Sequence, residues 1–250
     1  MKIFDCHKGK LLKEYLDILK KPKYRRGAGV NPCIDCRIFM FKKAKEFADK
    51  HGIDLVVSGE VLGERPMSQM KKAMDIVEKE SGLKGRLLRP LSAKLLEPTN
   101  AEKKGIVNRN KLYDISGRRR DRQIAMAKKF RISYPSPAGG CLLCEKALKQ
   151  RLKYLIERGM NEKEIKLVGL GRHFLIDNSW VVLGRNEKEN NIIERLKTGE
   201  IIVPKTPGPT AIILDKCKKA TKDKVKKLIG VYSKGVELKE RKKFEKYELK

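Results

Sequence analysis

The chain has 250 residues, with 60 Lys and Arg against 31 Asp and Glu, and a formal net charge of +29. A hydrophobic share of 40% supplies core for one large or two modest domains, and no apolar run reaches the roughly 18–20 residues of a membrane span. Surfaces of paired lysine and glutamate, as hyperthermophiles carry, do not leave such an excess of cations. A polyanionic partner is therefore expected, and nucleic acid is the commonest. The charged start, Met1 to Lys10, holds no apolar signal core, so a cytoplasmic chain with reduced thiols is expected.

Leu11, Leu12, Tyr15, Leu16 and Leu19 recur at helical spacing within a basic N-terminal stretch. Lys21-Pro22-Lys23-Tyr24 and Gly27-Ala28-Gly29 read as a turn. Cys33-Ile34-Asp35-Cys36 follows Pro32, and residues 37–50 are predicted helical, with Ile38, Phe41, Ala44 and Ala48 on one face and Gly52 ending it. Ile53 to Ser58 is predicted as a buried parallel strand. Its carboxyl end opens into the loop Gly59 to Pro66, where ligands bind in open α/β sheets. A helix over 68–81, a strand over Gly85–Leu91 and a polar helix over 109–131 come next. Tyr134 to Gly140 reads as a rigid loop that delivers Cys141-Leu142-Leu143-Cys144. After a helix near 145–158 the pattern turns to strands at 166–168, 173–176 and 179–183, with Asp177-Asn178 as a hairpin turn. A helix near 187–197, strands at 201–203 and 211–214, a helix over 221–233 and a charged tail complete the chain, with the domain boundary near residue 160.

Four of the six cysteines form two CxxC pairs, Cys33 with Cys36 and Cys141 with Cys144. Two intervening residues let both sulfurs face one point, which suits a metal or a redox pair. A helix N-terminus beyond Cys36 would favour the thiolate. The pairs lie more than a hundred residues apart, so any shared site forms by tertiary approach of two loops rather than as a compact ribbon. Four thiolates suit tetrahedral zinc or an iron–sulfur cluster, and a third reading is a relay in which one cysteine carries sulfur and another resolves the linkage. Arg118, Arg119, Arg120 and Arg122 are candidates for phosphate contacts, as are the basic first 26 residues. Tyr15, Tyr24 and Tyr134 lie near basic residues, which suits base stacking as well as core packing. His173 reads as structural, and Gly169 and Gly171 do not complete a dinucleotide fingerprint. No GxxxxGK[ST] stretch or other phosphate-cradling loop occurs in the chain.

Several motifs together resemble the PP-loop tRNA-thiolating enzymes, in the archaeal-type branch related to 2-thiouridylase and 4-thiouridine synthase. They are Asn31 to Arg37, Ser58 to Gln69, Leu88 to Lys94, Asp114 to Arg118, and Pro135 to Leu143, within a span of about 15–155. The resemblance implies thiouridine synthesis on tRNA, with the uridine oxygen activated by adenylation and replaced by sulfur. It makes Cys33 and Cys141 catalytic candidates. It also makes Cys33, Cys36, Cys141 and Cys144 metal candidates, for a 4Fe–4S cluster or alternatively zinc, with Cys144 outside the three-ligand pattern. Gly59, Glu60, Arg65 and Ser68 would line an adenylate or uridine pocket. Such enzymes begin with a strand and an SGGxDS-type loop that this sequence does not show. That segment lies on a separate polypeptide, or upstream of the recorded start, or the ATP-dependent activity has been lost. The exposed edge of a truncated sheet favours a partner chain. Val181 to Asn190, with Arg185 as an RNA contact, Pro207 to Ala211, and Val231 to Lys234 resemble the RNA-binding domain of NFACT-type proteins. The expected architecture is α/β: a partial PP-loop-type parallel-sheet domain over 1–160, a small α+β RNA-binding domain over 161–235, and a basic tail over 236–250. The expected partners are tRNA, a sulfur donor and a PP-loop supplied in trans to bring ATP, with no membrane. The rival reading is a non-catalytic RNA-binding protein with a structural zinc site.

Overall fold

The computed structural model describes residues 1–24, 29–134, 141–196, 198–233 and 238–249. The expectations for Arg25 to Ala28, Pro135 to Gly140 and Lys234 lie outside those residues. Two compact units are present, Asp17–Cys144 on the one hand and Met1–Leu16 with Glu145–Lys250 on the other. The division at Glu145 differs from the expected boundary near 160 by the helix at 149–158. The leucine spacing near the N-terminus forms α1 (Gly9–Lys20), with Leu12, Leu16 and Leu19 buried.

In the unit Asp17–Cys144, α2 runs Cys33–Lys50. It starts four residues sooner than expected, so the first cysteine pair lies inside its first turn and not ahead of it. Asn31, at φ 46, turns the chain into the helix, and the amide of Cys36 already donates to the Pro32 carbonyl at 2.7 Å. Asp35 in that turn is buried and accepts the amides of Lys23 and Tyr24 at 2.8 and 2.9 Å, tying the preceding turn to the helix start. β1 (Val56–Val57) follows, then α3 (Lys71–Ser81), which ends at Gly82 in the left-handed region (φ 71). β2 (Leu87–Leu88) pairs with β1 in parallel. Ile34, Ile38 and Phe41 of α2 pack with Ala73 and Val77 of α3, and with Leu83 and Leu87, as the core of this unit.

The expected buried strand over Ile53–Ser58 is corrected on two counts. Only Val56 and Val57 join the ladder, and Val57 is 58% exposed, because β1 has a strand on one edge alone among the described residues. The parallel sheet has two strands. Beyond it, α4 (Asn100–Lys103) opens with a Thr99–Glu102 capping box. The helix expected over 109–131 is broken. Arg109–Lys111 is a single 3-10 turn, and only α5 (Asp121–Lys129) is helical. Between them Tyr113, Ile115 and Gly117 donate amides to Pro90, Leu91 and Leu62. These tertiary bonds satisfy backbone groups that a helix would have claimed.

The other unit continues with α6 (Lys149–Arg158) and α7 (Glu162–Ile165). The strand expected at 166–168 is absent: Asn161 and Glu164 form a capping box that starts α7, and the chain turns after it. β3 (Arg172–Ile176), β4 (Ser179–Leu183), α8 (Glu187–Leu196), β5 (Glu200–Ile202), β6 (Ala211–Ile213), α9 (Lys219–Tyr232) and α10 (Leu238–Glu245) follow. The sheet is antiparallel in the order β3-β4-β6-β5. Asp177 and Asn178 at φ 49 and 63 make the two-residue hairpin turn whose twist suits antiparallel strands. Every residue of the inner strand β4 is buried. Phe174, Ile176, Val181, Leu183 and Ile213 form a core with Val225, Leu228 and Ile229 of α9. The residues read as a basic tail fold too. They contain α10, and beyond it the amide of Leu175 in β3 donates to the Tyr247 carbonyl at 2.8 Å, and that of Leu249 to His173 at 2.8 Å.

Candidate functional site

The two cysteine loops meet in the unit Asp17–Cys144. The amide of Asn31 donates to the Leu143 carbonyl at 3.0 Å, the Cys144 amide donates to Cys141 at 2.8 Å, and a Cβ on Gly29 would come within 3.0 Å of the Cys144 carbonyl. Across this junction the sulfurs of Cys33 and Cys144 lie 3.3 Å apart, although 111 positions separate them in sequence. Burial pushes the Cys144 thiol up to about 12, reinforced by the sulfurs of Cys33 and Cys141. Cys144 therefore keeps its proton at neutral pH, and its partner Cys33 sits at the first position of α2. Cys141 is exposed.

The donors at this junction are thiols, which suits thiophilic metals. The gap of 3.3 Å is shorter than the ~3.8 Å between two thiolates on a tetrahedral zinc with bonds near 2.3 Å. Among the described residues no group of three or more His, Cys, Asp or Glu is arranged to hold a metal ion. The structure thus brings Cys33 to Cys144 without assembling the four-cysteine set.

The loop after β1 is held from within. The Leu62 amide donates to Ser92 Oγ at 2.9 Å, Ser92 Oγ donates to the Ile115 carbonyl at 2.6 Å, and the Gly63 amide reaches the Gln69 carbonyl at 2.7 Å. Gly59 and Arg65 are exposed, whereas Ser68 and Glu60 are buried. Glu60 accepts Arg89 Nε at 2.9 Å and faces Arg37 Nε at 3.5 Å, while Arg89 also pairs with Glu78. Glu60 is thus held in a buried ion-pair network. Arg89, the centre of that network, was not singled out from sequence, although an arginine inside the apolar run Leu87-Leu88-Arg89-Pro90-Leu91 was its signal. A cavity of about 640 Å³ in this unit is lined by Arg89, Gly85 and Thr99 among others, and not by the four loop residues.

Of the arginine run, Arg119 pairs with Asp121, Arg120 with Glu64 and Arg122 with Asp114, at 3.0, 2.8 and 2.9 Å. Arg118 is exposed with no ion pair to a described residue. The adjoining α5 buries none of its side chains. Phe130, Ile132 and Tyr134 beyond it are exposed, beside the exposed Lys128, Lys129 and Arg131.

In the other unit Arg185 grips Glu189, with Nε at 3.0 Å and Nη2 at 2.5 Å from Oε1. Burial raises the Glu189 carboxyl, but Arg185 and backbone amides outweigh it and hold the group below its ordinary range. Its Oε2 also accepts the Gly171 amide at 3.2 Å, so this pair fastens the start of β3 to α8. His173 is structural, as its isolation in the sequence implies. Nε2 lies 3.1 and 2.8 Å from the Leu167 and Leu170 carbonyls and so carries the proton, while Nδ1 accepts Trp180 Nε1 at 3.1 Å. Burial, with Arg151 nearby, lowers its pKa to about 3. Arg158 holds both oxygens of Asp215 at 2.9 Å, and Asp215 accepts the Trp180 amide at 2.7 Å.

No helix among the described residues is long and apolar enough to cross a membrane. No curated protein and no solved structure shows a significant match to the chain. The family model described as NFACT protein RNA binding domain matches residues 171–245, from β3 to the end of α10, and does not extend to the cysteine-bearing unit. The chain therefore carries an RNA-binding domain over those residues, similar to that of NFACT proteins.

Proposed function

We propose that the chain binds tRNA and serves in its sulfur modification, with Cys33 as the reacting thiol. The observation that carries this reading is the meeting of Cys33, at the start of α2, with the distant Cys144 at 3.3 Å, in a chain that also holds an RNA-binding domain. The net charge of +29 supports a polyanionic substrate, and the exposed basic and aromatic stretch from Arg118 to Tyr134 adds contacts suited to RNA.

In the relay form, a persulfide on Cys33 presents its terminal sulfur to a uridine carbonyl carbon whose oxygen has been adenylated by ATP, with pyrophosphate released. Carbon–sulfur bond formation expels AMP and leaves the nucleoside disulfide-linked to Cys33. Cys144 then attacks the Cys33 sulfur and passes its proton to the departing thiouridine sulfur. The resulting Cys33–Cys144 disulfide is reset by a two-electron dithiol reductant. Cys141, exposed near Cys144, would take sulfane sulfur from a persulfide donor by thiol–persulfide exchange, releasing the donor's thiol, and hand it to Cys33 by a second exchange. The adenylation is supplied by a PP-loop outside these 250 residues. In the cluster form, Cys33, Cys36 and Cys141 would hold a 4Fe–4S group that carries the sulfur.

The test is metal and acid-labile sulfide analysis of protein purified without oxygen, alongside thionucleoside analysis of cellular tRNA, for wild type and Cys33→Ala. Loss of a thionucleoside in the variant supports the proposal, and iron with sulfide selects its cluster form. Unchanged tRNA thiolation with zinc and no sulfide would overturn it in favour of an RNA-binding protein with a structural zinc site.

A further inference from the structure

The geometry points to a groove between α9 and α10 as the place where the RNA-binding domain takes an unpaired nucleotide; this rests on the RNA-binding reading of residues 171–245. The cavity measures about 570 Å³, within the roughly 300–1,000 Å³ range of small-ligand sites. Its floor is apolar and includes the rings of Phe244 and Tyr247, with centroids 6.3 Å apart. Lys224, Lys227, Lys243 and Lys246 line it, with Glu240 as the one acid among the described lining residues.

These lysines are not equivalent. Lys224 is paired with Asp177 at 2.6 Å and Lys243 with Glu240 at 2.7 Å. Lys227 and Lys246 are exposed and have no ion pair among the described residues, which suits them to an incoming anion. Lys246 Nζ lies 5.0 Å from the centre of the Tyr247 ring. The backbone of Tyr247 is fixed to β3 through the Leu175 amide, so the ring is held in place before any ligand arrives. An aromatic floor beside exposed lysines is the arrangement that holds single-stranded nucleic acid, with bases stacked on rings and phosphates on lysines. A duplex keeps its bases stacked inside and offers such a floor nothing to cover.

The test measures the affinity of the full chain for a fluorescently labelled single-stranded RNA and for the same sequence as a duplex, over a series of salt concentrations. The variants are Lys227→Ala/Lys246→Ala and Tyr247→Ala, with thermal melting as the folding control. Preference for the single strand is expected. The double lysine variant should lower the slope of log affinity against log salt by about 1.4, at roughly 0.7 per phosphate contact. Tyr247→Ala should weaken single-strand binding on the order of tenfold and leave duplex binding unchanged. If wild type binds RNA and the folded lysine variant binds it with the same slope, the groove is excluded while the RNA-binding reading stands. If wild type binds neither RNA, both fall.

Discussion

The two units carry their apolar residues in different ways. In the C-terminal unit a four-stranded antiparallel sheet buries the whole of β4, and Trp180 and Phe174 are fully enclosed. In the unit Asp17–Cys144 the sheet has two short strands, Val57 lies open, and Phe130 is 60% exposed beside a helix that buries nothing. The first pattern belongs to a domain whose stability comes from its own core. The second joins an apolar core between α2 and α3 to a set of specific polar ties: Glu60 with Arg89, Asp35 with two amides, and Ser92 between Leu62 and Ile115. Apolar burial is non-directional and tolerates change elsewhere, whereas a buried charge network fails when one member is removed.

Trp180→Ala should produce the largest loss, about 3–5 kcal/mol in denaturant unfolding, while Val57→Ala stays within about 0.5 kcal/mol. Equal costs at the two positions would erase the contrast. Arg89→Met should cost about 3 kcal/mol by leaving buried Glu60 with only the longer Arg37 contact, and adding Glu60→Gln should return most of it. If the second substitution restores nothing, the network is not what holds the loop.

A pH titration probes the C-terminal core through His173. Its folded pKa of about 3 lies below the ordinary 6.5, so the unfolded chain takes up a proton first as pH falls. The stabilisation from the neutral ring is complete above 6.5 and is lost on acidification toward 3. The slope approaches about 1.4 kcal/mol per pH unit. His173→Gln should flatten that segment of the stability profile. The smallest effect concerns thiol labelling. Iodoacetamide at pH 8 should modify exposed Cys141 and spare Cys144, whose thiolate fraction at a pKa of about 12 is roughly one in ten thousand. Rapid labelling of Cys144 by peptide mass spectrometry would contradict its half-buried, hydrogen-bonded state.

Features set by neighbours in sequence were the ones that could be read there. The leucine spacing of α1, the Asp177-Asn178 turn and the helix over 187–196 follow local rules. Features set by distant partners were not. The segment between Arg109 and Asp121 has helical composition, but Pro90, Leu91 and Leu62 take its amides. Glu60 reads as a loop carboxylate until Arg89 is brought against it. The residues after 236 read as a charged tail because their pairing with β3 spans more than sixty positions. The Asn161–Glu164 cap was local and legible, and the short apolar run after it outweighed that signal.

The contact between Cys33 and Cys144 has a topological consequence. A covalent bond there would turn most of the unit Asp17–Cys144 from an open string into a ring, with 111 positions between its closing residues. A ring of that size restricts the unfolded chain by about 4.7 kcal/mol in the chain-entropy treatment, near the top of what any single crosslink supplies. The redox potential of the surrounding solution would then be registered as the melting temperature of one half of the molecule.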